Sequence, residues 1–96
     1  MIKDVEQVKE AISDLKMLPE FSQEVYARGY DFNASLSFEK SWTQSKKKIV
    51  FTFSYHPCSD GVSISTEING NHKGMIIAKS KKRIYDYCSK IVEEKL

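Results

Sequence analysis

Three runs of alternating residues constrain most of what this chain can fold into. Tyr30, Phe32, Ala34, Leu36 and Phe38 alternate with Asp31, Asn33, Ser35, Ser37 and Glu39. Ile49, Phe51, Phe53 and Tyr55 alternate with Val50, Thr52 and Ser54; Val62, Ile64, Thr66 and Ile68 alternate with Ser63, Ser65 and Glu67. Successive side chains of a strand point to opposite faces, so each run has one apolar face and one face rich in Ser and Thr. Such strands suit an antiparallel sheet covered on one side only. Asn69-Gly70 is a strong signal for a two-residue hairpin, because both residues tolerate positive φ, and Gly74 to Ala78 reads as a short fourth strand.

The flanks follow a different period. Ile2, Val5, Val8, Ile12, Leu15 and Leu18 recur at steps of three and four among Lys3, Asp4, Lys9, Glu10 and Lys16, the pattern of an amphipathic helix. Pro19 stops that helix and suits the first turn of another. PEFSQEVYAR is read as this second helix, with Phe21 and Val25 inward and Gly29 at its end. At the other flank Ser80 can cap a closing helix with Ile84, Cys88, Ile91 and Val92 on one face. The expected architecture is α+β, α(α)ββββα: a four-stranded antiparallel meander with the N-terminal helix or helices and the C-terminal helix on one face. SWTQSKKK and HPCSDG are read as polar turns. The 96 residues make a single domain, 1–96.

Composition narrows the function classes. No apolar run approaches the ~20 residues that span a bilayer, and the charged start MIKDVEQVKE lacks the apolar centre of a secretory signal. A cytoplasmic protein with Cys58 and Cys88 as free thiols is expected, one disulfide between them being the alternative. His56, Cys58, His72 and Cys88 fit no closed zinc site. There is no phosphate loop, dinucleotide fingerprint or nucleophile elbow. The expectation is a non-enzyme without cofactor or metal.

Charge is uneven although the net is only +2. Residues 1–45 carry five cations against eight anions, and residues 46–96 ten against five. Lys79, Lys81, Lys82 and Arg83 straddle the start of the closing helix, where the helix dipole disfavours cations by roughly 0.3–1 kcal/mol each. A docked anion would reverse that sign, and phosphate is the obvious one. Lys46, Lys47, Lys48 and Lys73 are the other cations of this half expected near that surface.

From Asn69 to Leu96 the chain resembles the C-terminal half of a double-stranded-RNA-binding domain. Asn69-Gly70 stands at the family's turn, Ser80-Lys81-Lys82 at its helix start with nine residues between Gly70 and Ser80, and Ile84 and Cys88 fall in register on the helix. The resemblance implies phosphate contacts from Lys81 and Lys82, with Lys79 and Arg83 adjacent. It also implies minor-groove contacts from the first helix and from the loop after the first strand of a three-stranded meander. The chain departs from the family in four places. Ile76, Ile77 and Ala78 stand where glycines are usual, and Tyr85 stands near a usual lysine. His56-Pro57-Cys58 only loosely echoes the minor-groove loop, and Tyr30–Glu39 is an additional strand.

Duplex RNA is thus the first expected partner. The second is a protein target, in the manner of immunity proteins, antitoxins and small anti-CRISPR or other nuclease inhibitors, engaged by the same cations and by Trp42 in SWTQSKKK as an aromatic anchor. A homodimer through an exposed edge strand, Tyr30–Glu39, is the third expectation.

Overall fold

The computed structural model describes residues 2, 4–27, 32–42, 45–56 and 60–96, with backbone alone at 27, 41, 42, 45 and 46. Helix α1 (Val5–Leu15) is followed by five strands, β1 (Phe21–Ala27), β2 (Phe32–Trp42), β3 (Ser45–Tyr55), β4 (Val62–Ile68) and β5 (Asn71–Ala78), and by helix α2 (Lys81–Lys95). The strands form one antiparallel meander in the order β1-β2-β3-β4-β5.

The α+β class and the one-sided cover agree with the alternation. Ala34, Leu36, Phe38, Ile49, Phe51, Phe53, Tyr55, Val62 and Ile64 form a buried layer with Val8, Ile12 and Leu15 of α1 and Ile84, Cys88 and Val92 of α2. The rings of Phe38, Phe51, Phe53 and Tyr87 meet at centroid distances of 5.8 to 6.4 Å, mostly edge to face, the geometry that aromatic quadrupoles favour. Asn69 and Gly70 have φ of 52° and 83°, as the turn required. Asn69 also ties the hairpin to β3: its Oδ1 accepts from the Lys48 amide at 2.9 Å, and its own amide donates to the Lys48 carbonyl at 2.9 Å.

The strand count is five, not four. The segment expected to be a second helix, PEFSQEVYAR, supplies β1 instead. Six of its seven residues pair with β2, Ser22 falling in a bulge, and Phe21 packs edge-on against Phe38 at 5.8 Å. Val25, placed inward by the helical reading, is half exposed on the far face. A strand satisfies the outer backbone groups of β2, which a helix at this position would leave unpaired. Gly29, the expected helix end, lies outside the described residues, as do Tyr30 and Asp31 at the start of the expected first strand.

Two further boundaries move. SWTQSKKK is mostly strand rather than turn, with β2 running to Trp42 and β3 starting at Ser45; Thr43 and Gln44 lie outside the described residues. Ladder pairing continues past the last apolar pair, Phe38 with Ile49, into Glu39 with Lys48 and Lys40 with Lys47. Backbone groups bond whatever the side chains are, and a Lys48–Glu39 ion pair at 3.4 Å supports this arm. Likewise β5 begins at Asn71 rather than Gly74, but with a bulge opposite Thr66 and Glu67 that leaves Lys73 outside the regular register.

Candidate functional site

Two groups of cations lie at opposite ends of the sheet. Lys47, Lys48 and Lys73 lie at the Asn69-Gly70 end, whereas α2 starts beyond Ala78 at the other. The seven residue steps of β5 separate the ends by roughly 23 Å at 3.3 Å per step. The expectation that Lys46–Lys48 or Lys73 flank Lys81–Arg83 is therefore not met, because the strand that carries the chain into α2 carries it away from them. The side chains of Lys46 and Trp42 lie outside the described residues.

At the start of α2, Ser80 is extended and its Oγ accepts from the Arg83 amide at 3.1 Å. Ser80→Ala is expected to cost about 1 kcal/mol, read as a lower urea midpoint with an unchanged slope. The cations around this cap have acidic neighbours. Lys79 pairs with Asp60 at 3.2 Å, Lys81 with Glu10 of α1 at 2.8 Å and Lys82 with Asp86 at 2.9 Å. The Glu10 hydrogen bond holds the Lys81 ammonium above its ordinary range. Arg83 lies over the Tyr87 ring, 5.8 Å from its centroid. Four cations thus face three carboxylates, which leaves this end far less basic than its sequence reads. The same contacts gather three elements: Ile2 donates to the Lys79 carbonyl at 2.9 Å, so α1, the β3–β4 connection at Asp60 and the start of α2 meet.

The uncovered sheet face is hydroxyl-rich in its middle, where Ser35, Ser37, Thr52, Ser54, Ser63 and Ser65 neighbour one another along and across the strands. Ser35 and Thr52 hydroxyls lie 3.4 Å apart. No Phe, Tyr or Trp among the described residues lies on this face, so it lacks the stacking rings of a single-stranded nucleic-acid platform. Its apolar residues are Val50 in the middle strand and Val25, Met75 and Ile77 on the two edge strands. Met75 and Ile77, two positions apart on β5, are 61 % and 60 % exposed. Beside Ile77 is an open depression of about 270 Å³ lined by Ser54, Tyr55, His56, Asp60, Gly61 and Ser63.

The homodimer expectation needs correction in its detail. The strand proposed to pair with its copy is β2, which has neighbours on both sides; the free edges belong to β1 and β5. The β1 edge carries devices that discourage strand addition: a bulge between Phe21 and Gln23, and Glu24 turned toward the helix side in an ion pair with Lys16. Tyr26 shares that edge. Partial burial against Phe32, and then the neighbouring Glu24 carboxylate, push its phenol up to about 12. A phenol raised on folding favours the native state below pH 10 and loses that advantage as pH rises from about 10 to 12. An absorbance titration should show a late-titrating component near pH 12 that is absent in Tyr26→Phe.

Cys88 is a buried free thiol in the core, and burial pushes its pKa up; Cys58 lies outside the described residues. No group of His, Cys, Asp and Glu among the described residues could hold a metal ion. No described helix is long and apolar enough to cross a membrane. Sequence reasoning missed Met75 and Ile77. The signal was present: Met75 to Ala78 is an unbroken apolar run, and in a one-sided sheet half of such a run must face outward.

These features define a small α+β domain with one clothed and one bare sheet face. No known family, curated protein or solved structure matches the chain.

Proposed function

We propose that this is a non-catalytic protein-binding domain that takes an extended segment of a protein partner along edge strand β5. One observation carries the reading: Met75 and Ile77 stand exposed, side by side, on the uncovered face of a strand with no described outer neighbour. A strand added there would gain backbone hydrogen bonds from the edge and bury both apolar side chains, the arrangement of peptide recognition by strand addition. Met is also well suited to adaptable contact surfaces. The regular stretch from Met75 to Ala78 lies past the bulge, so its register can continue into a guest strand. This fits a small inhibitor or immunity-type protein that blocks its target by binding.

A selection from a display library of unstructured peptides tests it. Enriched peptides should alternate apolar and polar residues, and Met75→Lys/Ile77→Lys should lose them while keeping its circular dichroism spectrum. Enrichment that survives this double substitution would remove β5 from the proposal.

Duplex RNA is kept as a second reading by the meeting of α1, the β3–β4 connection and the start of α2 at one end. These are the three elements that the RNA-binding-domain resemblance needs on one surface. The ion pairs there involve exposed side chains, Lys82 at 86 % and Lys79 at 64 %, and such pairs are worth only about 0–1 kcal/mol. Phosphates could therefore displace the carboxylates, though the carboxylates stay nearby and weaken binding. Titration with duplex RNA, duplex DNA and single-stranded RNA at two salt concentrations, beside Lys81→Glu/Lys82→Glu, decides this reading. Binding that prefers duplex RNA, falls with salt and disappears in the variant supports it. No binding at low salt ends it.

A further inference from the structure

We infer that a second cleft, between the C-terminal half of α2 and the bulged β4–β5 hairpin, binds a small amphipathic carboxylate, a hydrocarbon chain ending in a carboxyl group. The cleft has a volume of about 480 Å³ and is lined by Thr66, Ile68, Lys73, Tyr87, Ile91 and Lys95. That volume falls in the range of small-molecule sites, about 300–1,000 Å³. It lies toward the C-terminal end of α2, away from Lys79, Lys81 and Lys82, while Arg83 lies over the ring of its Tyr87 wall, 5.8 Å from the centroid.

Local sequence builds it. At the bulge, Glu67 pairs with His72 and Thr66 with Gly74, so Lys73 drops out of the ladder and joins the lining on the helix side. Gly74 has φ of 141°, a conformation that side-chain-bearing residues rarely adopt, and a Cβ there would meet no atom within 4 Å. The glycine is thus required by the backbone path of the bulge, not by crowding. On the facing side Ile91 and Tyr87 are only partly buried although they pack against the core, as is Ile68 below them. These three side chains supply the apolar walls.

Polar groups are few and placed for an anion. Thr66, 1 % exposed, shares a hydrogen bond of 2.8 Å with the Tyr87 hydroxyl. Two hydroxyls carry two hydrogens and that bond uses one, so the other O–H is left for an acceptor within the cleft. Lys73 and Lys95 line the cleft without an ion-pair partner among the described residues, in contrast to Lys79, Lys81 and Lys82. No carboxylate is among the lining residues. Apolar walls, a hydroxyl donor and two uncompensated ammonium groups match a chain with one carboxylate. Lys95 also lies in the last turn of α2, where it offsets the negative end of the dipole. Lys73 is therefore the stronger carboxylate partner of the two.

The test uses the full chain and three probes below any micellar concentration: decanoate, decanol and inorganic phosphate. Binding is followed by amide chemical shifts and calorimetry. Decanoate is expected to shift the amides of Thr66, Tyr87 and Ile91 and to bind more tightly than either control. Lys73→Met should weaken decanoate by roughly threefold and Lys73→Met/Lys95→Met by roughly tenfold, in line with about 0.2–1 kcal/mol per exposed ion pair, with decanol unaffected. Both positions are exposed, so these variants keep the fold. Absence of decanoate binding, equal binding of decanol or phosphate, or shifts confined to Met75 and Ile77 would each overturn the inference.

Discussion

Phe51→Ala is expected to unfold much of the population at moderate temperature. Phe51 is fully buried and touches three aromatic neighbours, with ring centroids 5.8 Å from Phe38, 6.4 Å from Phe53 and 6.3 Å from Tyr87. It therefore joins the middle of the sheet to α2. Removing such a ring costs about 3–5 kcal/mol in lost transfer and cavity terms. Small domains have only about 5–15 kcal/mol in total. At about 4–8 °C per kcal/mol, the melting temperature should fall by roughly 12–40 °C. Phe51→Leu keeps most of the volume and should lose about half as much. Thermal melts of both variants followed by circular dichroism check this, and a loss below about 1 kcal/mol for the alanine would mean that the core is not organised around this ring.

Gly61→Ala has the second largest expected effect, from crowding instead of a cavity. Gly61 is buried at the start of β4, and a Cβ placed there would lie 2.6 Å from the Ala78 carbonyl oxygen and 3.1 Å from Ile77 Cγ2. The nearer atom is backbone, so no side-chain rotation relieves the contact. The strands must move apart where β5 hands over to α2. Overpacking of this kind costs about 1–3 kcal/mol, a fall of roughly 5–20 °C. The displacement would also reach the Lys79–Asp60 pair and the Ile2 amide bonded to Lys79. Amide shifts at residues 60–64 and 76–81 should therefore change most. An unchanged urea midpoint would show that the two backbones do not approach this closely.

Such effects fall on positions that differ in how far the sequence exposed them. Phe51 could be placed in the core from alternation alone, because a half-buried strand writes its inner face into every second residue. Gly61 could only be read as turn punctuation, since its contact is with a residue far along the chain. The candidate sites divide the same way. The cations at 79–83 were plain in the sequence, and Asp86 is a near neighbour of Lys82 on the same helix, but the other two carboxylates that meet them, Glu10 and Asp60, come from α1 and from the β3–β4 connection. The open cleft beside Lys73 and Lys95 depends on a bulge whose register only the pairing of β4 with β5 reveals.

By itself the sequence determined the one-sided sheet, the Asn69-Gly70 hairpin, the Ser80 cap and the inward faces of α1 and α2. All of these are set by side chains acting on their near neighbours along the chain. Tertiary structure decided that residues 21–27 form a strand, because seven residues with Phe, Val and Tyr in them fit either period and the free edge of β2 selects the extended one. It decided equally which edges stay open and which lysines remain without a counter-charge. Those outcomes depend on groups brought together from distant positions, and no local period encodes them.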